Sequence, residues 1–279
     1  MQLTSLTAIS PVDGRYGNKT ESLRTIFSEF GLIKYRVIVE IRWIQALANE
    51  AGISEVASLS DEANQFLENI ISNFSETDAE QVKQFESTTN HDVKAVEYFL
   101  KQRFSDNSEL NAIKEFLHFA CTSEDINNLS HALMLKDARD QTLIPFLNNI
   151  IIELKALTKN YAELPMMSRT HGQTATPTTL GREMGVFAYR LERQIEQLNT
   201  ISLLGKINGD VGTDNEHMIA YSDVDWPTLS QQVIEALGID WNPHTTQIES
   251  HDYMAELFHN IIRANTVLLD FARDIWAYI

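Results

Sequence analysis

The sequence contains a single cysteine, and it is poor in basic residues for its length of 279. One thiol, that of Cys121, cannot form an internal disulfide, which agrees with a reducing compartment. We expect Cys121 to be a small buried thiol and not a nucleophile. The 22 lysines and arginines are outnumbered by 39 aspartates and glutamates, so the formal charge is −17. Such a surface repels nucleic acid and anionic membranes at long range, so we expect neither as a partner.

Long apolar runs are also missing, as is an N-terminus that is first basic and then apolar. No stretch stays apolar over the roughly 20 residues that a membrane helix needs, and no signal-peptide pattern is present. We therefore expect a cytoplasmic protein. Convincing strand alternation is absent too, whereas apolar residues recur at steps of three and four along most of the chain.

These steps predict an all-α protein. The longest periodic segments are predicted to be helices of roughly 25 to 35 residues, which bury their apolar seams only against one another. Pro145 is expected to bend one of them and not to end it, because the pattern resumes beyond it. We predict an N-terminal helical domain over residues 1–111 and a long-helix bundle over residues 112–279. The last apolar seam still continues at Ile279, so this bundle is expected to be incomplete at its C-terminus.

Polar segments at the helix junctions contain the candidate site residues. In the segment 168–181, Gly172 follows His171 and allows a backbone conformation that other residues resist. A histidine in such a loop titrates near neutrality and serves as an acid or a base, although a purely structural loop histidine is the alternative. Asn90 or a neighbour is expected to cap a helix whose first turn contains His91, and such an end favours an anion.

Three other junctions have similar chemistry. Arg15 and Tyr16 lie between glycines and suit a phosphate or carboxylate, unless this N-terminal arm only packs on the surface. Thr122 and Asp125 have the spacing of a capping box, and the adjacent hydroxyls of Thr122 and Ser123 also suit a carboxylate. The glycine-rich segment 205–213 is not a Walker motif, because its lysine precedes the glycines and no strand is predicted before it.

Glu-x-x-His pairs, which bind two irons in some helical bundles, occur twice, at Glu115/His118 and Glu256/His259. At about 100° per residue, both pairs miss the apolar arc of their predicted helices, whereas ligands of an interior metal share the buried face. We therefore expect no metal site and no cofactor.

Six of the polar segments carry a resemblance to a known family. Three resemble the first signatures of the fumarase/aspartase superfamily: Thr122–Asp125, Ser168–Gly181 and Gly205–Thr213. Three more resemble the bacterial type of the branch that acts on adenylosuccinate: Ser10–Gly17, Thr88–Asp92 and Thr245–Asp252. The resemblance covers essentially the whole chain. It implies a cofactor-free β-elimination of fumarate from adenylosuccinate, and from the succinylated carboxamide ribotide of purine synthesis, in a homotetramer.

The resemblance also implies roles for individual residues. By similarity, His171 would be the general acid that protonates the departing nitrogen, a step that suits an imidazole. Thr122 and Ser123 would bind the succinyl carboxylate, where fixed donors stabilise the charge that develops during elimination. Gln247 would bind the substrate. The nucleotide end would be bound by Arg15, Tyr16, Asn90, His91 and Asp92.

Two features depart from the family's pattern. Asp210 stands where the superfamily usually has a small residue. The third signature, a flexible loop with Gly-Ser-Ser and Met-Pro-x-Lys-x-Asn that carries the serine base, is not found among the 279 residues. These residues alone are therefore expected to be inactive. A binding or scaffold protein built on the same bundle is the alternative, and it would not need His91, Thr122, His171 and Gln247 to converge.

Overall fold

The computed structural model describes residue 4 and residues 6–279, and most of these are helical, which confirms the all-α prediction. The described helices are α1 (Glu21–Phe27), α2 (Glu29–Asn49), α3 (Asp61–Ser72), α4 (Glu76–Thr89), α5 (Asp92–Phe104), α6 (Ser108–Ile113), α7 (Ser123–Asp137), α8 (Ile144–Asn160), α9 (Leu180–Thr200), α10 (Asn215–Ala220), α11 (Trp226–Ala236) and α12 (Asp252–Tyr278). The residues that the structure describes also form six strands of two residues each, namely β1 (Pro165–Met166), β2 (Arg169–Thr170), β3 (Gln173–Thr174), β4 (Thr178–Thr179), β5 (Leu204–Gly205) and β6 (Asp240–Trp241).

The chain divides into two compact units. Unit 1 comprises Met1–Ala138 and Leu203–Ser250, and unit 2 comprises Arg139–Ser202 and His251–Ile279. The predicted division into domains of residues 1–111 and 112–279 stays a prediction. Within the described part of the chain, no helix combines the length and the apolar content that a membrane span requires.

Unit 1 is built around α2, which packs against α1, α3, α4, α5, α7 and α11. Its buried side chains extend well beyond the single face that the spacing predicts. The spacing of apolar residues predicts one continuous helix from about residue 20 to residue 51, but the structure interrupts it at Ser28. The Ser28 hydroxyl accepts the N–H of Gly31 and begins α2, a capping interaction that competes with helix continuation.

Two other helix ends are defined by local structure. A capping box formed by Ser75 and Asp78 begins α4. Helix α6 ends at Ile113 and is followed by a 3₁₀ turn at Lys114–Phe116. Pro145 does not end the helical backbone, as predicted. This backbone runs from α7 through a π-type segment at Ala138–Leu143 into α8, whose first turn contains Pro145.

Unit 2 is a layer of long helices in which α9 packs against both α8 and α12. These helices form one apolar core. Its buried members are Leu147, Ile151 and Leu154 of α8, Met184, Phe187, Ala188, Leu191 and Ile195 of α9, and Ala264 and Val267 of α12. The seams that the spacing predicts are confirmed for α9 and α12. For α8 the spacing predicts a seam through Phe146 and Tyr161, and this is wrong, because both side chains are exposed.

The start of α9 lies so close to α8 that only glycine fits at residue 181. A Cβ atom on Gly181 would overlap the Thr158 carbonyl oxygen and the backbone around Tyr161. We therefore expect Gly181→Ala to reduce the free energy of unfolding by about 1–3 kcal/mol. Gly185→Ala is the matched control, because its Cβ would lie 3.3 Å from a methyl group of the Thr158 side chain, and helical alanine is favoured over glycine. Equal effects of both variants in urea unfolding would contradict this account.

Candidate functional site

The turn between α4 and α5 holds three predicted site residues. Asn90 ends α4 in the left-handed conformation, with φ at 52°. His91 caps α5, where its Nδ1 atom accepts the N–H of Lys94 at 3.1 Å, so it lies before the first turn and not inside it as predicted. The free side of the ring faces α7, and Nε2 is 3.3 Å from the Ser123 hydroxyl. Two segments far apart in sequence are therefore joined at their helix N-termini.

Asp92, the third residue of this turn, is held by a buried arginine of α2. Nη2 of Arg36 contacts Oδ2 of Asp92 at 2.5 Å, and Nε of Arg36 donates to Asn127 of α7 at 2.8 Å. Burial alone would raise the pKa of Asp92, but the guanidinium and the N–H of Val93 outweigh burial and hold that pKa below its usual value. Asp92 is thus an ionised anchor that fixes the turn between α4 and α5 to α2.

Thr122 and Ser123 lie at the start of α7, as predicted. The N–H of Thr122 donates to Oδ2 of Asp125 at 2.8 Å, which is the acidic half of the predicted capping box. The same carboxylate accepts the N–H groups of Asn208 at 3.1 Å and of Gly209 at 3.2 Å. The hydroxyl pair and the segment 205–213 are therefore attached to a single buried side chain.

The segment 205–213 also contacts the loop that contains Gln247. The Asn208 amide donates to the Thr245 hydroxyl at 2.8 Å. Gly212 has φ at +78°, and a Cβ atom there would lie 2.6 Å from the Thr245 carbonyl oxygen, so a side chain at this position would separate the two segments. Gln247 itself is exposed, two residues further along. Asp210, the residue that departs from the family's pattern, is exposed as well and does not fill this contact.

His171 belongs to unit 2, where it occupies the tip of a two-stranded ribbon and not an irregular loop. The strands β2 and β3 pair antiparallel, so that His171 and Gly172 form the two-residue turn between them. Their φ values of 52° and 76° are the two left-handed conformations that a tight hairpin of this kind requires. Outside this hairpin, β1 pairs with β4. The ribbon presents the His171 imidazole as an exposed group on a defined turn.

Arg15 and Tyr16 are exposed in the turns that precede α1. The guanidinium carbon of Arg15 lies 5.5 Å from the centroid of the Tyr16 ring. In the described part of unit 1, no side-chain hydrogen bond or ion pair connects these two residues with His91, Thr122 or the segment 205–213. Their predicted part in the site therefore stays a prediction.

Among the described residues, no group of three or more His, Cys, Asp or Glu side chains is placed so that it could hold a metal ion. His118 is not on a helix, and its Nδ1 atom lies 2.6 Å from the buried Glu40 carboxylate. The helical-arc argument for this residue is therefore wrong, because the helix on which it rests ends at Ile113. Glu115 pairs instead with Lys101 at 2.7 Å.

Behind the segment 205–213, unit 1 contains buried titratable groups that the sequence does not reveal. His217 is fully buried between Trp43, Trp226 and Phe119, and burial lowers its pKa to about 4. Oδ1 of Asp214 is buried without a hydrogen-bond partner among the described residues. Burial, together with the nearby carboxylates of Asp125 and Glu216, raises the pKa of Asp214 to about 6.

Because of this raised pKa, we expect the stability of the protein to depend on pH. Protonated Asp214 favours the folded state. This contribution is complete below pH 3.8, the ordinary pKa of an aspartate, and is lost as the pH rises through about 6, the pKa in the folded protein. Asparagine mimics the protonated form and also tolerates the left-handed backbone of residue 214. Asp214→Asn should therefore stabilise the protein by about 1–2 kcal/mol at pH 7.5 and much less at pH 4. Thermal unfolding across this range tests it, with the exposed Asp223→Asn as control, and a gain that does not vary with pH would contradict it.

The comparisons with known proteins agree with the resemblance. A family model described as "Lyase" matches residues 14–279. Adenylosuccinate lyase of Vibrio cholerae is 59% identical over 280 residues, and that of Escherichia coli is 58% identical over 279 residues. Both alignments take in the whole of this chain and 61% of the relative. The chain therefore spans about three fifths of the length of these curated relatives.

Solved structures support the fold. The crystal structure of a fumarate lyase from Mesorhizobium sp. BNC1 superposes with a TM-score of 0.74, covering 92% of this chain and 57% of that one, at 21% identity. A β-carboxy-cis,cis-muconate cycloisomerase from Acinetobacter calcoaceticus gives 0.69 over the same shares at 21% identity. At such identities the likeness concerns the fold alone. Because the family model described as "Lyase" matches residues 14–279, nearly the whole chain, the chain belongs to this family.

Proposed function

We propose that the protein containing these residues eliminates fumarate from adenylosuccinate to leave AMP, and from the succinylated carboxamide ribotide to leave the carboxamide ribotide. The observation that carries the proposal is the 3.3 Å contact between the Ser123 hydroxyl and Nε2 of His91. Through this contact, the hydroxyl pair that suits a succinyl carboxylate adjoins the turn that suits a nucleotide. The relatives named adenylosuccinate lyase, which match the whole chain, support this assignment.

In the proposed reaction, a base removes a proton from the succinyl carbon next to the one that bears nitrogen. The carbon–nitrogen bond then breaks, a carbon–carbon double bond forms, and the nitrogen leaves with a proton. His171 would donate that proton. Thr122 and Ser123 would hold the carboxylate into which negative charge spreads, and Gln247 would contact the substrate. The nucleotide end would be bound by Arg15, Tyr16, Asn90, His91 and Asp92.

We also infer a homo-oligomer, with a tetramer as the form that the resemblance implies. The long helices of unit 2 expose several large apolar side chains, which water does not favour and which a second copy would cover. They include Phe146 and Ile152 of α8, Val186 and Tyr189 of α9, and Ile262, Leu269 and Trp276 of α12. The charge of −17 favours neither nucleic acid nor an anionic membrane as a partner, and we propose a cytoplasmic location.

The function is tested by incubating the full-length protein with adenylosuccinate and quantifying the products by chromatography. Fumarate and AMP in equal amounts are the expected result. A scaffold or binding protein on the same fold would leave adenylosuccinate intact, and that outcome would overturn the proposal. Parallel incubation with the succinylated carboxamide ribotide tests the second substrate separately.

Arg15→Ala is expected to weaken AMP binding about tenfold or more, because a charge-assisted hydrogen bond to phosphate is lost. Fumarate lacks the phosphate, so its affinity should change less than about twofold. Calorimetric titration of both products measures the difference. Lys19→Ala, which removes an exposed positive charge four residues away, is the matched control and should change neither affinity. An equal loss for AMP and fumarate would contradict the assigned orientation.

A further inference from the structure

Asp125 is buried at the third position of α7, with none of its surface exposed. Its two oxygens accept the backbone N–H groups of Thr122, Asn208 and Gly209, at 2.8, 3.1 and 3.2 Å. A fourth donor is the ammonium group of Lys206, 2.8 Å from Oδ1 and equally buried. A buried carboxylate with this many donors is fully satisfied and holds each donor in place.

One helical turn further along, Asn128 holds the same segment. Its Oδ1 atom accepts the N–H of Lys206 at 2.9 Å, and its amide donates to the carbonyl oxygen of Lys206 at 3.1 Å. Two inward-facing side chains of α7 therefore fix the backbone of residues 206–209. Of the two, only Asp125 also accepts the N–H group of Thr122, whose hydroxyl belongs to the proposed site.

The bonds to Asp125 also hold the hydroxyl groups of Thr122 and Ser123 in position. Thr122 precedes the first turn of α7, where the backbone has no helical partner to keep it in place. Its N–H bond to Asp125 supplies that restraint, and the same carboxylate holds Asn208 and Gly209 against it. A shift of this carboxylate would move Thr122 and the segment 205–213 away from each other.

We propose that Asp125 is a positioning residue, which sets the geometry of the Thr122 and Ser123 hydroxyls for a dicarboxylate by fixing them to residues 208 and 209. The proposal rests on the proposed function for the identity of the ligand. Asp125 does not touch that ligand. It acts through the two hydroxyls and the backbone that it restrains.

The charge on Lys206 offers an alternative explanation, because Asp125 is also the counter-ion of this buried ammonium group. Removing one partner of a buried ion pair leaves an uncompensated charge, which destabilises the fold whatever happens at the site. Asp125→Asn alone cannot separate the two roles. The double variant Asp125→Asn/Lys206→Met removes both charges together and restores electrical balance in the interior.

The experiment compares the wild type, Asp125→Asn and the double variant in the full-length protein. We expect Asp125→Asn to lower the unfolding temperature and to weaken fumarate binding at least about tenfold, in line with the loss of charge-assisted hydrogen bonds. The double variant should recover most of the unfolding temperature but not the fumarate affinity. In both variants KM for adenylosuccinate should rise more than kcat falls. Recovery of stability and fumarate affinity together would overturn the proposal, since Asp125 would then only balance Lys206.

The same experiment distinguishes failure of the proposed function from failure of the role proposed for Asp125. A wild-type protein that binds fumarate without converting adenylosuccinate would overturn the proposed function, and fumarate titration of the variants would still decide the role of Asp125. A wild-type protein that does not bind fumarate would overturn both. Amide hydrogen exchange provides an independent check, because the N–H groups of Thr122, Asn208 and Gly209 should be protected in the wild type and exposed to exchange in both variants. Unchanged protection would overturn the proposal.

Discussion

Replacing His171 by asparagine is expected to lower the turnover of adenylosuccinate by about 10²- to 10⁴-fold, the range typical of a lost general acid. Asparagine is chosen because it preserves the backbone: residue 171 has φ at 52°, and asparagine adopts this left-handed conformation readily. The hairpin turn should therefore persist while the ionisable ring is removed. Steady-state kinetics measures the loss of turnover, and the affinities for AMP and fumarate, measured alongside, show whether binding is lost as well.

The matched control is His259→Asn, which makes the same substitution at an exposed histidine of α12 in the same unit. Its turnover should stay within about threefold of the wild type. Should His171→Asn also remain within a few-fold, the imidazole would be a structural feature of the hairpin and another group would protonate the nitrogen. A parallel loss of turnover and of both product affinities would indicate a damaged turn and contradict the assigned role.

The hairpin also illustrates what the sequence predicts and what it leaves open. Gly172 predicts an unusual backbone, and its positive φ agrees with this, whereas the positive φ of His171 is not predicted. The strands on either side are not predicted, because pairs of two residues are too short to produce any alternation of apolar and polar side chains. The register that places His171 at the tip comes from pairing between Arg169 and Thr174, which a linear pattern does not contain.

Helix seams are more predictable than helix ends. The seams of α9 and α12 follow from spacing alone, because each helix buries one side against neighbours in unit 2. The break at Ser28 depends instead on a single hydrogen bond to a side chain, which spacing does not encode. For the same reason His91 could be assigned to the beginning of a helix but not to its cap.

The buried polar residues behind the site are the part that the sequence conceals most completely. Asp125 has the spacing of an ordinary helix cap, and nothing local distinguishes it from one. Its bonds to Asn208 and Gly209 join residues more than 80 positions apart, and the contact between Arg36 and Asp92 spans 56. The signal available in the sequence is only that a lysine and an asparagine lie among glycines in the segment 205–213.

The largest effect is expected for a polypeptide limited to residues 1–279, which should fold into helices and yet release no fumarate. The proposed elimination needs a base for the carbon-bound proton as well as an acid for the nitrogen, and the role proposed for His171 accounts only for the acid. No stretch among these residues matches the loop to which the resemblance assigns the serine base. The relatives are longer than this chain, which spans 61% of them.

This prediction can be tested by complementation. Circular dichroism first establishes that the polypeptide is helical, and fumarate release is then measured with and without the portion of Escherichia coli adenylosuccinate lyase that this chain does not match. The exposed apolar side chains of unit 2 should promote association of the two pieces, so that activity appears only in the mixture. In the same mixture, a polypeptide with His171→Asn should stay inactive, which shows that the acid comes from this chain. Turnover by residues 1–279 alone would place the base among them, and the assignment of acid and base would have to be revised.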